Sequence, residues 1–132
     1  MTRYMLDTNT VSDLLRGNAR STKQLVSVPI TSLCISSVTE GEMLYGLAKR
    51  PDAKQLHTAV MELLRRLDVL PWTSNVAHHY GVMRANLERR GKVLAPLDLL
   101  IAAHALASNA VLVTNDKAFK QVSGLVIENW AR

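Results

Sequence analysis

The chain has 132 residues, 48% of them hydrophobic and 20% charged, which are the proportions of one ordinary globular domain over residues 1–132. It has no apolar run near the ~20 residues of a membrane span, no leader-like apolar stretch at its start and a single cysteine, so we expect a cytoplasmic protein without membrane contact or internal disulfide. Sixteen Lys and Arg against eleven Asp and Glu give a net charge of +5, which favours a polyanionic partner.

Short apolar runs alternate with longer helical patterns along the chain, which predicts an α/β fold with a parallel sheet. We expect about five strands, flanked by helices in an α/β/α sandwich, at residues 3–6, 33–35, 68–70, 110–113 and 126–128. Two helices fall between the second and third strands. A third helix is predicted to begin at Thr73 or Ser74 and to stop at Gly91. The segment 95–109 has Pro96 in its first turn and is apolar nearly all round, which predicts a buried helix.

Four acidic residues lie near the predicted carboxyl ends of the strands. Asp7 directly follows the first strand, and Asp116 follows the strand in "AVLVTN". Asp98 lies in the first turn of the apolar helix, and Glu42 lies in the second turn of the helix after "LCISS". Because ligands of open parallel sheets bind outside the carboxyl ends of the strands, we expect these four acids to converge.

Each of these acids also has a structural interpretation. Asp7 could cap the next helix, although the Thr-Asn-Thr after it offers the same cap. Asp98 in a first turn stabilises a helix by ~0.3–1 kcal/mol, but a lone charge among its apolar neighbours is costly. Asp116 in "TNDKAF" is typical of a turn that opens a short helix.

Glu42 stands out because a neighbouring glutamate provides a comparison. The stretch from Ser37 to Glu40 predicts a capping box, which gives Glu40 a structural role. Glu42 has no such role and falls on a face where an apolar residue is expected. Four converging carboxylates without a basic partner destabilise a fold unless a cation bridges them. Their hard oxygens suit Mg²⁺ or Mn²⁺ better than zinc, so the pattern favours a metal-dependent phosphodiesterase.

Four segments resemble, in chain order, the acidic motifs of PIN-domain nucleases: "MLDTNTVSDLL", "ISSVTEGEMLYG", "PLDLLIAAHAL" and "LVTNDKAF". The resemblance covers essentially the whole chain and is closest to the VapC toxins of bacterial VapBC toxin–antitoxin pairs. It implies a PIN-like parallel sheet and an Mg²⁺-dependent endoribonuclease, with Mn²⁺ as a substitute, that cleaves structured RNA, often tRNA. It also implies a homodimer that a cognate VapB-type antitoxin inhibits.

The resemblance also assigns roles by position. Asp7, Glu42, Asp98 and Asp116 would be catalytic, and Asp7, Asp98 and Asp116 would lie nearest the metal, with Glu42 as an outer ligand or orienting the attacking water. Attack on the RNA phosphodiester would leave a 5′-phosphate and a 3′-hydroxyl, without a histidine base. Polar residues at the two strand ends would orient the carboxylates: Thr8, Asn9, Thr114 and Asn115.

Two further groups of residues are candidates for contact with partners. Apolar residues on the first two helices are candidates for antitoxin contact, with core packing as the alternative: Val11, Leu14, Leu15, Leu25 and Val26. Basic residues are candidates for RNA contact: Arg16, Lys49, Arg50, Arg84, Arg89 and Lys92. Among the remaining reactive side chains, we expect His78 and His79 at the surface, and His104 and Cys34 in the core.

Three other functions remain open on the sequence. An aspartate-based phosphatase or receiver domain also has an acid after its first strand, but Asn9 breaks the phosphatase pattern DxD, and the second acid and the lysine of receivers are not evident. A PIN-like module could bind RNA without cutting it, although the four acids argue against this. A PIN nuclease could also serve RNA processing, but the small size favours a toxin.

Overall fold

The computed structural model describes residues 1–131 and confirms the predicted α/β fold, with each strand within one residue of its expected ends. The strands are β1 (Tyr4–Leu6), β2 (Leu33–Ser36), β3 (Asp68–Leu70), β4 (Val111–Val113) and β5 (Ile127–Glu128). The helices are α1 (Thr8–Leu15), α2 (Ala19–Ser27), α3 (Ser37–Ala48), α4 (Lys54–Arg66), α5 (Ser74–Arg89) and α6 (Pro96–Ala107), with short 3₁₀ helices at Ile30–Ser32 and Lys117–Gln121. Across residues 1–131, no helix is both long and apolar enough to cross a membrane.

The five strands form one parallel sheet in the order β3-β2-β1-β4-β5. The chain leaves β1 towards β2 and β3 on one side, and later returns to β4 and β5 on the other. The order therefore reverses at β1, and ligands of such sheets bind at the carboxyl end of this switch point. Asp7 follows β1 and Asp116 follows the neighbouring β4, so the topology places both acids there.

Side chains of the central strands alternate between two apolar layers, as strand geometry requires. Met5, Cys34 and Leu112 pack on one face with residues of α5 and α6. Leu6 and Ile35 pack on the other face with residues of α1, α3 and α4. The predicted sandwich and the core position of Cys34 are thereby confirmed.

The helix ends follow the sequence signals at some places and depart from them at others. Thr73 caps α5, Gly91 follows its end with φ +68°, and Pro96 opens α6, all as predicted. The predicted capping box of α3 was wrong, because the helix begins one residue earlier than expected. Its cap is Ser36, whose hydroxyl oxygen accepts the N–H of Val38 at 3.1 Å.

His104 joins three elements next to this cap. The side chain is 1% exposed, and its Nδ1 lies 2.7 Å from Oγ of Ser36. The backbone of Pro71, after β3, provides a second hydrogen bond to the ring. With Nε2–H donated to that carbonyl, Nδ1 accepts from the Ser36 hydroxyl, so α6 is held against the start of α3. The prediction of a satisfied core histidine is confirmed.

This network makes a pH-dependent contribution to stability. Burial lowers the pKa of His104 below the ordinary value of 6.5. The unfolded chain therefore takes up the proton first as the pH falls below that value, and the stability contributed by neutral His104 is lost. We predict that the difference in free energy of unfolding between the wild type and His104→Gln, measured by denaturant titration, shrinks between about pH 7.5 and pH 5. A difference that does not change with pH would contradict this.

Candidate active site

Asp7 lies at the carboxyl end of β1, 3% exposed, and caps α1. Its Oδ1 accepts the N–H of Thr10 at 2.8 Å. The Thr-Asn-Thr that was expected to share this role lies inside the first turn of the helix, so that expectation was wrong. Burial raises the pKa of Asp7, and hydrogen bonds from Thr114 and Thr10 oppose this effect. The carboxylate is therefore held in one orientation in a partly dry position.

Asp116 caps the 3₁₀ helix Lys117–Gln121, as the turn interpretation predicted. Its Oδ1 accepts the N–H of Ala118 at 2.9 Å. Oγ1 of Thr114 accepts the backbone N–H of Asp116 at 3.0 Å, and the same hydroxyl group lowers the pKa of Asp7. One buried threonine thus holds the backbone of Asp116 and stabilises the ionised form of Asp7.

Asp98 connects electrostatically to all of the other three acids. It is the third residue of α6 and is half-buried. Its pKa is raised first by burial and then by the negative charges of Asp116, Asp7 and Glu42. Because such charges act appreciably only at short range in a protein, the four carboxylates, from four separate elements, lie close together at this edge of the sheet, and we call this cluster the acidic pocket. The convergence expected from the sequence is present in the structure.

Among residues 1–131, no basic side chain neutralises the acidic pocket. Within residues 1–131, the ion pairs lie elsewhere, and none includes any of the four acids. In the same region no three His, Cys, Asp or Glu side chains form a set that could hold a metal ion directly. That spacing does not fit zinc, which takes three or four direct ligands from the protein. A set made only of carboxylates suits a hard divalent cation that keeps some of its waters.

The four predicted supporting residues differ in their positions. Thr114 holds the backbone of Asp116 and stabilises ionised Asp7, as described. Thr8 has a buried hydroxyl without a hydrogen-bond partner in residues 1–131, and it lines a cavity together with Glu42. Asn9 and Asn115 are exposed, and neither is hydrogen-bonded to an acid of the pocket in the described part of the chain.

Sequence reasoning missed Thr10 as a supporting residue. Besides donating its N–H to Asp7, it donates its hydroxyl to the carbonyl of Val113 at 2.9 Å, which ties α1 to β4. The signal was present in the spacing, because the amide three positions after a helix-capping residue is the usual donor to that cap.

The six basic candidates for RNA contact fall into two groups. Arg16, Lys49 and Arg50 line the cavity of about 310 Å³ that also contains Glu42 and Thr8. The other three lie on α5 or just beyond it. Arg84 is bound to Tyr80 and Glu88, Arg89 lines a cavity with His78 and His79, and Lys92 is exposed. The structure therefore places only the first group beside an acid of the pocket. His78 is exposed as expected, whereas His79 is half-buried.

The five apolar candidates for antitoxin contact lie in different environments. Leu14, Leu15 and Leu25 line a groove of about 330 Å³ between α1, α2 and α4. Val11 is 1% exposed and packs in the core, so its assignment to a contact surface was wrong. Val26 is 75% exposed and does not line the groove.

The strand order and the four acids can be compared with known protein families. The PIN domain model matches residues 4–125, which contain β1 to β4 and all four acids described above. The chain therefore belongs to the PIN-domain family.

Relatives over the full length narrow this assignment. The chain is 35% identical to the tRNA(fMet)-specific endonuclease VapC of Shigella flexneri, over 99% of this chain and all of that protein. Its fold matches VapBC of Salmonella typhimurium in a DNA-bound crystal structure, with a TM-score of 0.91 and 33% identity over 98% of this chain and 99% of that chain. VapBC2 of Rickettsia felis, bound to a promoter DNA fragment, matches with a TM-score of 0.90 and 32% identity over the same shares. Within its family the chain belongs with the VapC ribonucleases.

The repulsion in the acidic pocket predicts a stabilising substitution. The folded-state pKa of Asp98 is raised, so the stability that this group contributes is present at low pH and is lost as the pH rises through that pKa. At neutral pH its charge therefore destabilises the metal-free protein. We predict that Asp98→Asn raises the midpoint of thermal unfolding in EDTA near pH 7, and that the gain shrinks on acidification to about pH 4.

The exposed Asp52 provides the matched control for this measurement. Asp52→Asn removes the same charge from a chain of net charge +5, so it should give no gain in stability. If Asp98→Asn lowers the midpoint, or if both variants raise it equally, the pocket is not the source of strain.

Proposed function

We propose that the chain is the toxin of a type II toxin–antitoxin pair and acts in the cytoplasm as an endoribonuclease on structured RNA, with tRNA as the substrate. The observation that carries the proposal is the convergence of four acids at the carboxyl edge of the sheet, where Asp7 and Asp116 follow neighbouring strands and no basic side chain of residues 1–131 forms an ion pair with any of the four. A pocket of this kind has little structural use and binds a divalent cation well. The name of the Shigella flexneri relative supports tRNA as the substrate.

The proposed cofactor is Mg²⁺, for which Mn²⁺ can substitute. When bound, it supplies a water activated for attack and neutralises charge on the phosphate. Asp7, Asp98 and Asp116 would hold it directly or through water, and Glu42 would orient the attacking water. The N–H groups of Thr10 and Ala118 hold the carboxylates of Asp7 and Asp116 in place, which limits the reorganisation that binding requires.

The proposed partner is a VapB-type antitoxin. The groove lined by Leu14, Leu15 and Leu25 suits an apolar segment of such a protein, since it is concave, partly exposed and close to α1, which Asp7 caps. The VapBC complexes among the similar structures support a partner of this kind. The homodimer implied by the sequence stays a prediction.

The nuclease proposal predicts a loss of activity that leaves the fold intact. Asp7→Asn keeps an acceptor oxygen for the N–H of Thr10 and therefore keeps the helix cap, but it removes the charge. We predict that Asp7→Asn lowers the rate of tRNA cleavage in Mg²⁺ by at least ~100-fold, as expected for the loss of a metal-binding carboxylate. Growth arrest after induction without antitoxin should disappear as well.

Two controls accompany this assay. Asp52→Asn should cleave like the wild type, because Asp52 is exposed and lies outside the pocket. Added Mg²⁺ should raise the thermal stability of the wild type more than that of Asp7→Asn, which reports binding independently of activity. Full cleavage by the wild type in excess EDTA, or full activity of Asp7→Asn, would refute the proposal.

The groove predicts a variant that escapes the antitoxin. Ala59 is exposed on α4 and lines the groove, so Ala59→Arg should block an apolar segment without touching the acidic pocket. We predict that it weakens antitoxin binding at least tenfold, about 1.4 kcal/mol, in a titration with the cognate antitoxin, while tRNA cleavage is unchanged. Ala77→Arg, an exposed position on α5, is the matched control. Equal binding by both variants would exclude the groove as the contact surface.

A further inference from the structure

A small cavity beside Asp116 is lined by two lysines that form no ion pair with the acids of the pocket. It has a volume of about 200 Å³ and lies where β4 and β5 end. Lys117 and Lys120 line it together with Asn115 and Asn129, and Asp116 belongs to the same lining. The cavity therefore adjoins the acidic pocket through one shared residue.

The two lysines carry charge that the described chain does not neutralise. Both are exposed, and neither forms an ion pair within residues 1–131. Lys117 directly follows Asp116 in the sequence and still does not pair with it. Two ammonium groups without counter-ions in one concave place attract an anion.

The segment that carries the lysines is firmly held. Phe119, which lies between them, is 1% exposed in the core. Asp116 accepts the N–H of Ala118 at 2.9 Å, and the side-chain amide of Gln121 donates to the carbonyl of Val93 at 3.2 Å. Because their backbone is already fixed, the lysines would lose little conformational freedom of the chain on binding a ligand.

The amide side chains of the cavity complement the lysines. Oδ1 of Asn129 accepts the N–H of Ala131 at 2.9 Å, which leaves its NH₂ group to donate. Phosphate oxygens only accept hydrogen bonds, so an amide donor next to two ammonium groups suits a phosphate better than it suits a cation or an apolar group.

We propose that this cavity binds a backbone phosphate of the RNA next to the phosphate that is cleaved in the acidic pocket. The inference rests on the proposed function and names residues that hold its substrate. Asp116 borders both places, so a strand whose reacting phosphate lies at the acids brings a neighbouring phosphate to Lys117 and Lys120. On the other side of the pocket, Lys49 and Arg50 line the cavity that contains Glu42. RNA that crosses the acids thus meets basic side chains on both sides.

The test compares two double variants that remove the same charge. Lys117→Gln with Lys120→Gln removes the cavity charges, and Lys23→Gln with Lys54→Gln removes two exposed charges on α2 and α4. Binding of bulk tRNA is measured in an Asp98→Asn background, which prevents cleavage, and KM and kcat are measured in the wild-type background. We expect the cavity variant to raise Kd and KM about tenfold with kcat within about twofold of the wild type, and the control variant to change neither.

Salt dependence and a conservative variant complete the test. In the cavity variant, log Kd should rise less steeply with log salt than in the wild type. The slope should be smaller by roughly 0.7–0.9 for each phosphate that a lysine no longer neutralises. Lys117→Arg with Lys120→Arg should restore binding, which separates loss of charge from damage to the fold. Equal Kd values for the two Gln variants would overturn the subsite, as would unchanged RNA binding combined with weaker binding of the antitoxin. Lysine-dependent RNA binding by a wild type that does not cleave would refute the proposed function and leave the subsite standing.

Discussion

Four carboxylates converge at the carboxyl edge of the sheet, and the charges of the other three make the ionisation of Asp98 unfavourable. Much of the local structure holds this cluster in place against that effect. Burial and three like charges raise the pKa of Asp98, and burial raises that of Asp7. Hydrogen bonds from Thr10 and Thr114 offset part of the cost at Asp7, and His104 holds the helix of Asp98 against the cap of α3. Such repulsion lowers the stability of the protein without a ligand, and proteins retain repulsion of this kind at sites of binding or catalysis.

Capping and catalysis do not exclude each other at this site. The sequence posed them as alternatives for Asp7 and Asp116, yet each residue caps a helix and also belongs to the pocket. An ionised carboxylate has about four lone-pair positions, and a cap uses one of them. The amide N–H that is bound there fixes the direction of the remaining positions. A capping bond is therefore a simple means of orienting, on a short loop, a carboxylate that is proposed to bind a metal.

The strands and helices could be predicted because their sequence signals are local. The order of the strands in the sheet could not be predicted, because it depends on contacts between distant segments. Apolar runs gave all five strands within one residue, but no segment encodes the order β3-β2-β1-β4-β5. The cap of α3 was misplaced by one residue, since Ser36 and Ser37 are chemically equivalent as caps. Val11 could not be told from a contact residue, because core and contact faces are both apolar. Lys117 and Lys120 could not be recognised as part of a cavity from the sequence, because Asn129, which follows β5, comes beside them only in the folded structure.

If the chain binds RNA as proposed, the distribution of charge separates two contributions to the affinity. At the acids, a phosphate would meet negative charge, which a bound divalent cation would offset. At Lys117 and Lys120 on one side, and at Lys49 and Arg50 on the other, a phosphate meets positive charge whether or not a metal is present. On the proposed function, the surrounding basic residues would hold RNA over the pocket, and a cation held by the acids would offset their repulsion of the reacting phosphate. Binding and cleavage would then depend on different residues, although both groups lie at the same edge of the sheet.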